Sequence, residues 1–306
     1  MRPVLEILVP TYQRPQKAKE AIESVILCND DRLFVRCNSN GFEPDLEKYR
    51  DTNSRVHYDC FETNKGPYEN GLKLYSETNA DFCMILSDED RVDNRYCKNI
   101  LDFLENLDTD INVIACSVFN SISNKYHWKP SPNIKECNIN SYVALAPLST
   151  YMSGLIFRVK PLNKMNLLSL LTPTVGNAYS HLDITLNMLL QGKINFFYDK
   201  FVIKGKEVKF GGHGYAHKVV ESNINIANID NNDLNPSVYG TKARVRQFYY
   251  RENLLDSLKK NIGAIPLLIG KLNLIEFFYS CVLDSNKLII LPKNITMKNE
   301  ILAGYN

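Results

Sequence analysis

Short apolar runs alternate with helix-spaced segments through the first hundred residues of this chain. Residues 5–10 (LEILVP) predict a buried strand, and the TYQRP that follows has turn chemistry. Over residues 16–27, Ala18, Ala21, Ile22, Val25 and Ile26 recur at helical spacing. Residues 33–37 (LFVRC) predict a second strand closed by the turn-rich NSNG, and residues 55–61 (RVHYDCF) predict a third. Helical spacing returns over 66–78 through Leu72, Leu74 and Tyr75, and 80–87 reads as a fourth strand. Strand and helix in alternation predict an α/β fold: a mostly parallel sheet flanked by helices, with ligands gathered beyond the carboxyl ends of its strands.

Further along, residues 112–119, 154–159 and 195–203 predict strands and 181–190 a helix. The stretch 120–132 is polar with one tryptophan, and 210–218 is a loop rich in glycine and histidine. After about residue 241 the chain becomes basic (Lys242, Arg244, Arg246, Arg251, Lys259, Lys260). It then turns apolar over 262–283, broken by Pro266, Lys271 and Glu276. This predicts a C-terminal helical extension over 241–306.

Composition narrows the class. With 306 residues, 44% hydrophobic and 23% charged, the chain has enough apolar material for a sizeable core. A formal net charge of +2 speaks against nucleic acid as a partner. None of the eight cysteines forms a C-x-x-C pair, so a zinc site is not predicted, and those within apolar runs behave as small hydrophobes. The N-terminal MRPVLEILVP is too short and too charged for a signal peptide, and no run approaches about 18 apolar residues. The expected address is cytoplasmic.

The fourth strand ends in an acidic cluster, Asp88, Glu89 and Asp90, within CMILSDEDRV. Hard divalent cations favour carboxylate and water ligands and bridge phosphate oxygens. In an extended segment Asp88 and Asp90 would point the same way. A solvated turn is the competing reading. It loses ground because 10–14, 38–41 and 88–90 all fall at the same edge of one predicted sheet.

These residues carry a resemblance. LVPTYQRP before a helix, NSNG after the second strand, NKGP before the next helix and ILSDED together resemble a GT-A-fold glycosyltransferase. The similarity is to family 2, of the type that builds bacterial surface polysaccharides such as O-antigen or capsule. It is specific over residues 3–93, weaker to about 217 and absent beyond. It implies a catalytic domain over 1–240, with a nucleotide-binding half (1–93) and an acceptor half (94–240). It also implies a nucleotide-diphosphate sugar donor, a glycan or lipid-linked oligosaccharide acceptor, and Mn²⁺ or Mg²⁺ as cofactor.

Carried over position by position, Pro10, Thr11, Tyr12 and Arg14 border the base and ribose. Asn38 stands where relatives often have an acid that reads the base. Asn64, Lys65 and Gly66 lie next to the nucleotide, and Asp88 and Asp90 match the metal motif. Asp183, at the start of the predicted helix, matches the general base of an inverting transfer. The acid that usually precedes it is Leu182 here, and a helix-initiating Asp is the plain alternative. Gly154 in MSG would let backbone approach the donor sugar. His213, or His217 beside it, would complete a metal shell.

The basic and apolar extension suits peripheral contact with the inner face of the plasma membrane. The favoured reading is a helical subdomain packed on the core or on a second subunit. A sugar-phosphate nucleotidyltransferase would need a glycine-rich loop after the first strand, and there is no glycine before Gly41. The other alternative is a non-catalytic, glycan-binding or assembly relative with a decayed site, to which Leu182 and Asn38 give some footing.

Overall fold

The computed structural model describes residues 2–50, 53–129, 136–137, 151–165, 167, 180–189 and 191–206. The first half runs β1 (Leu5–Thr11), α1 (Pro15–Ile26), β2 (Leu33–Ser39), α2 (Pro44–Glu47), β3 (Val56–Cys60), α3 (Gly66–Glu77) and β4 (Phe82–Ile85). Then come β5 (Arg91–Val92), a 3₁₀ turn, α4 (Cys97–Glu105), β6 (Ile111–Asn120), β7 (Lys125–Trp128) and β8 (Glu136–Cys137). β9 (Leu155–Arg158), α5 (Val159–Leu162), α6 (Ser180–Leu189) and β10 (Lys193–Lys204) complete the described chain. Within the described residues the predicted strands and helices all form. The hairpin strand β7 and the helix α4 are additions that the pattern did not announce.

One sheet holds these strands in the order β3-β2-β1-β4-β9-β6-β10-β5, with β7 on β6 and β8 on β10. β3, β2, β1 and β4 are parallel, as the alternation of strand and helix predicts. Past β4 the sheet becomes mixed, because β9 inserts antiparallel to both β4 and β6 while β6 and β10 run parallel.

Period-two alternation sends the strand residues to two cores. Leu5, Ile7 and Val9 pack with Ala18, Ala21, Ile22 and Val25 of α1 and with Ile100, Leu101 and Leu104 of α4. Leu8, Cys83 and Ile85 pack on the other face with Leu74 and Tyr75 of α3 and Ile184 and Met188 of α6. Pro15 opens α1 at a position where its missing N–H costs nothing. Glu6 is a buried charge in β1. It is kept there by Arg36 (3.1 Å), the Thr78 hydroxyl (2.7 Å) and the Asn79 amide.

Cys37, Cys83 and Cys116 are buried free thiols, whereas Cys28 and Cys97 are joined as a disulfide between the end of α1 and the start of α4. Cys28, which closes the apolar run VILC, departs from the expectation for cysteines within apolar runs. Among the described residues no helix is long and apolar enough to cross a membrane. The predicted extension, 241–306, lies outside the described residues.

Candidate active site

Three segments converge where β1, β2 and β4 end. The Leu86 amide reaches the Leu8 carbonyl at 2.9 Å, extending the β1–β4 register, and the Asn40 amide reaches the Thr11 carbonyl at 2.8 Å. The next residues close a turn, with the Asp90 amide on the Ser87 carbonyl at 2.9 Å. This corrects the extended geometry expected of the acidic cluster. Because the backbone turns, Asp88 and Asp90 meet different partners.

Asp88 is fully buried and faces β1. The Thr11 hydroxyl donates to its Oδ2 at 2.8 Å. Arg14 bridges the turn, with Nη2 2.9 Å from Asp88 Oδ1 and Nη1 donating to Glu89 Oε1 at 2.5 Å. The first contact is an ion pair without hydrogen-bond alignment, which leaves Asp88 Oδ1 with no hydrogen bond. Arg91 holds the turn from behind, donating to the Asp88 carbonyl (3.1 Å) and the Asp90 carbonyl (2.6 Å) while pairing with Glu20 of α1.

Asp90 faces the later half of the chain. The Tyr151 hydroxyl lies 2.7 Å from both of its oxygens, and the Gly205 amide donates to Oδ1 at 2.9 Å. Ser153 supports the same turn by accepting from the Ser87 amide at 2.9 Å. Gly205 is pressed so close that a Cβ there would stand 1.8 Å from the Glu89 carbonyl oxygen. Burial pushes the carboxyls of Asp88 and Asp90 above the ordinary carboxylate range. Arg14 and Thr11 oppose the rise at Asp88, and Ser153, Gly205, Tyr151 and Lys204 oppose it at Asp90.

The remaining predicted residues divide. Pro10 pairs with Asn38 across β1 and β2, and Tyr12 is exposed at the mouth. Asn38 is buried, donating its amide to Asn70 Oδ1 at 3.0 Å, and its own Oδ1 has no partner. Asn64 and Lys65 are exposed and open α3. The Asn64 side chain accepts from the Gly66 amide (2.8 Å), and the Lys65 amide donates to Asn40 Oδ1 (2.7 Å). Gly66 has φ +88°, a left-handed conformation that glycine supplies at no steric cost.

Gly154 also has positive φ (+113°), and a Cβ there would meet Val118 at 3.2 Å, so the described protein packs β6 against it. Asp183 lies in the first turns of α6. His213 and His217 lie outside the described residues.

Residues that pattern reading missed are Asn40, Asn70, Tyr151, Ser153, Lys204 and Gly205. Of these, Asn40 lies in the NSNG turn and Ser153 in the MSG stretch, both singled out by pattern, and Gly205 follows the predicted strand by two positions.

Among the described residues no three His, Cys, Asp or Glu side chains gather as a metal cage. The acidic turn nonetheless suits a hard cation. It offers carboxylate oxygens, and Asp88 Oδ1 is buried with no hydrogen bond beside its ion pair with Arg14. Mg²⁺ is commonly held by one or two carboxylates, the rest of its shell being water and substrate phosphate.

The sequence matches the Glycosyl transferase family 2 profile over residues 6–164, more than half of the chain. The chain belongs to glycosyl transferase family 2. None of the curated proteins matches it by sequence. Solved structures resemble the fold of this glycosyltransferase. S. aureus TarS 1–349 superposes with a TM-score of 0.69 at 16% identity, covering 100% of this chain and 89% of that one. The same fragment in complex with UDP-GlcNAc gives 0.68, again at 16% identity and with the same coverage. The mannosyltransferase PcManGT from Pyrobaculum calidifontis, in complex with GDP-Man and Mn²⁺, gives 0.55 at 12% identity, covering 99% of this chain and 86% of that one. The family 2 glycosyltransferase therefore has the GT-A architecture, and the acidic turn lies beyond the carboxyl ends of its parallel strands.

Proposed function

We propose that this glycosyltransferase moves a sugar from a nucleoside-diphosphate donor onto a glycan or lipid-linked oligosaccharide acceptor, with inversion, in bacterial surface polysaccharide synthesis. One observation carries the reading: Thr11 and Arg14 of the β1 end grip Asp88 of the β4 end inside the crevice where nucleotides bind such sheets. TarS bound to UDP-GlcNAc and PcManGT bound to GDP-Man, both of the same fold, support a nucleotide-sugar donor.

Asp88 and Asp90 would hold Mn²⁺ or Mg²⁺, with His213 as a further ligand. When bound, the cation neutralises charge that builds on the diphosphate as the anomeric bond breaks. The side chains do the rest. Tyr12 offers its exposed ring to the base, and Asn38, Asn64, Lys65 and Gly66 border the nucleotide. Arg14 is close enough to the turn to meet the diphosphate as well as the carboxylates. Asp183 accepts the proton of the acceptor hydroxyl as that oxygen attacks the anomeric carbon from the face opposite the leaving group.

Peripheral membrane contact and a homo-oligomer through residues 241–306 belong to the same proposal, since a lipid-linked acceptor lies at a membrane surface.

The test is a thermal-shift panel of UDP, GDP, CDP and dTDP, each with and without Mn²⁺. One nucleotide is expected to raise the melting temperature in a metal-dependent way, because a ligand that binds only the folded state stabilises it. No shift with any of the four would overturn the donor assignment.

A further inference from the structure

The acidic turn is flanked by cations from distant parts of the chain. Arg14, from the end of β1, faces Asp88 and Glu89. On the other side stands Lys204, the last residue of β10, which pairs with Asn120 of β6 and has its carbonyl near the Ser121 hydroxyl (3.4 Å). Lys204 is only 7% exposed. Its Nζ lies 4.9 Å from the centre of the Tyr151 ring, whose hydroxyl binds Asp90, and its charge acts on the Asp90 carboxyl. A buried ammonium is costly to keep dry, and this one lies over the ring whose hydroxyl binds Asp90, which places its charge on the far side of the acidic turn from Arg14. The next residue, Gly205, donates to Asp90 and packs on Glu89, which fixes the backbone carrying the lysine against the turn.

We propose that Lys204 is a built-in counter-ion of the acidic turn, a positioning residue that disfavours a divalent cation arriving alone and favours a diphosphate. This inference rests on the donor reading above. The physics is a balance of charge. A lone Mn²⁺ adds two positive charges beside Arg14 and Lys204, whereas a diphosphate brings compensating negative charge to the same place. Cation and diphosphate together leave the local balance nearly unchanged, so the protein takes them as a unit.

A structural lysine and a counter-ion lysine predict different results. In Lys204→Met, the counter-ion role requires Mn²⁺ alone to bind about tenfold tighter and nucleoside diphosphate alone to bind about tenfold weaker. A merely structural role weakens both. The measurement is Mn²⁺ binding by electron paramagnetic resonance, and UDP, GDP, CDP and dTDP binding by calorimetry in chelator, on wild type, Lys204→Met and Lys204→Arg. The arginine variant keeps the charge and should retain both wild-type affinities.

Changes in the same direction for the two ligands in Lys204→Met, or an arginine variant that behaves like the methionine one, would overturn the counter-ion role while leaving the donor reading intact. If none of UDP, GDP, CDP and dTDP binds wild type with or without Mn²⁺, the donor reading fails and the counter-ion role goes with it.

Discussion

The two halves of the sheet reach the same acidic turn by different routes. On the β1–β4 side, parallel strands in register deliver one loop after another to a common edge, and the turn's partners Thr11 and Arg14 leave the first strand directly. On the β6–β10 side, an antiparallel strand is inserted from elsewhere in the chain. The turn's partners Tyr151 and Gly205 there precede one strand and follow another. The first side repeats a local unit. The second is an assembly of distant pieces, so its contribution to the site depends on tertiary packing rather than on any motif.

That contrast is open to direct attack. Asp88→Ala removes the residue gripped from the β1 side, and transfer activity should fall at least about a hundredfold with donor binding lost, as measured by initial rates and calorimetry. Retained binding would mean that the β1 side does not set the site.

Ile7→Ala tests stability on the same side without touching the turn. Deleting this fully buried side chain should cost about 2–5 kcal/mol in denaturant unfolding, with donor affinity of the folded fraction preserved. Gly205→Ala attacks the second side: its Cβ has no room beside the Glu89 carbonyl. It should cost about 1–3 kcal/mol and also weaken donor binding, which Ile7→Ala does not. If both variants lose only stability, the two sides do not differ in the way described.

The smallest effect is electrostatic. Arg32 hydrogen-bonds Asp30 and holds its carboxyl below the ordinary range, while also reaching Asp102 and Glu105 of α4. A lowered folded value adds stability that is present above the unfolded value near about pH 3.9, and that is lost as pH falls through the folded one. Asp30→Asn should therefore cost about 1 kcal/mol at pH 7, and the cost should shrink as the pH falls below the unfolded value and vanish below the folded one, read from chemical unfolding at each pH.

The same contrast explains what was legible beforehand. The strands and helices of the first half, and the gathering of 10–14, 38–41 and 88–90 at one edge, follow from hydrophobic period and from the rule for parallel sheets. The turn at Asp88–Asp90 was legible as a site but not as a shape. Its alternating acids suit an extended segment, and only the Asp90–Ser87 hydrogen bond makes it a turn. Asn38 matched its motif by position, yet the structure turns its amide inward to Asn70, which no local pattern records. Tyr151 and Lys204 were invisible because their role exists only once β9 and β10 have docked. Outside glycine, nothing in a single residue type signals a contact across the sheet.

The hydrogen bond from the Gly205 amide to Asp90 spans 115 positions of sequence. On a ribosome, the first four strands emerge and begin to pair long before that amide exists outside the exit tunnel. Until it arrives, Asp90 lacks one of its donors and the turn lacks the surface that presses on Glu89. Closing so long a loop is among the slower steps available to a chain, because the entropy is spent before the contact is made. The acidic turn is thus completed late in synthesis, and on the proposed donor reading nucleotide binding would report that residues out to Gly205 have folded.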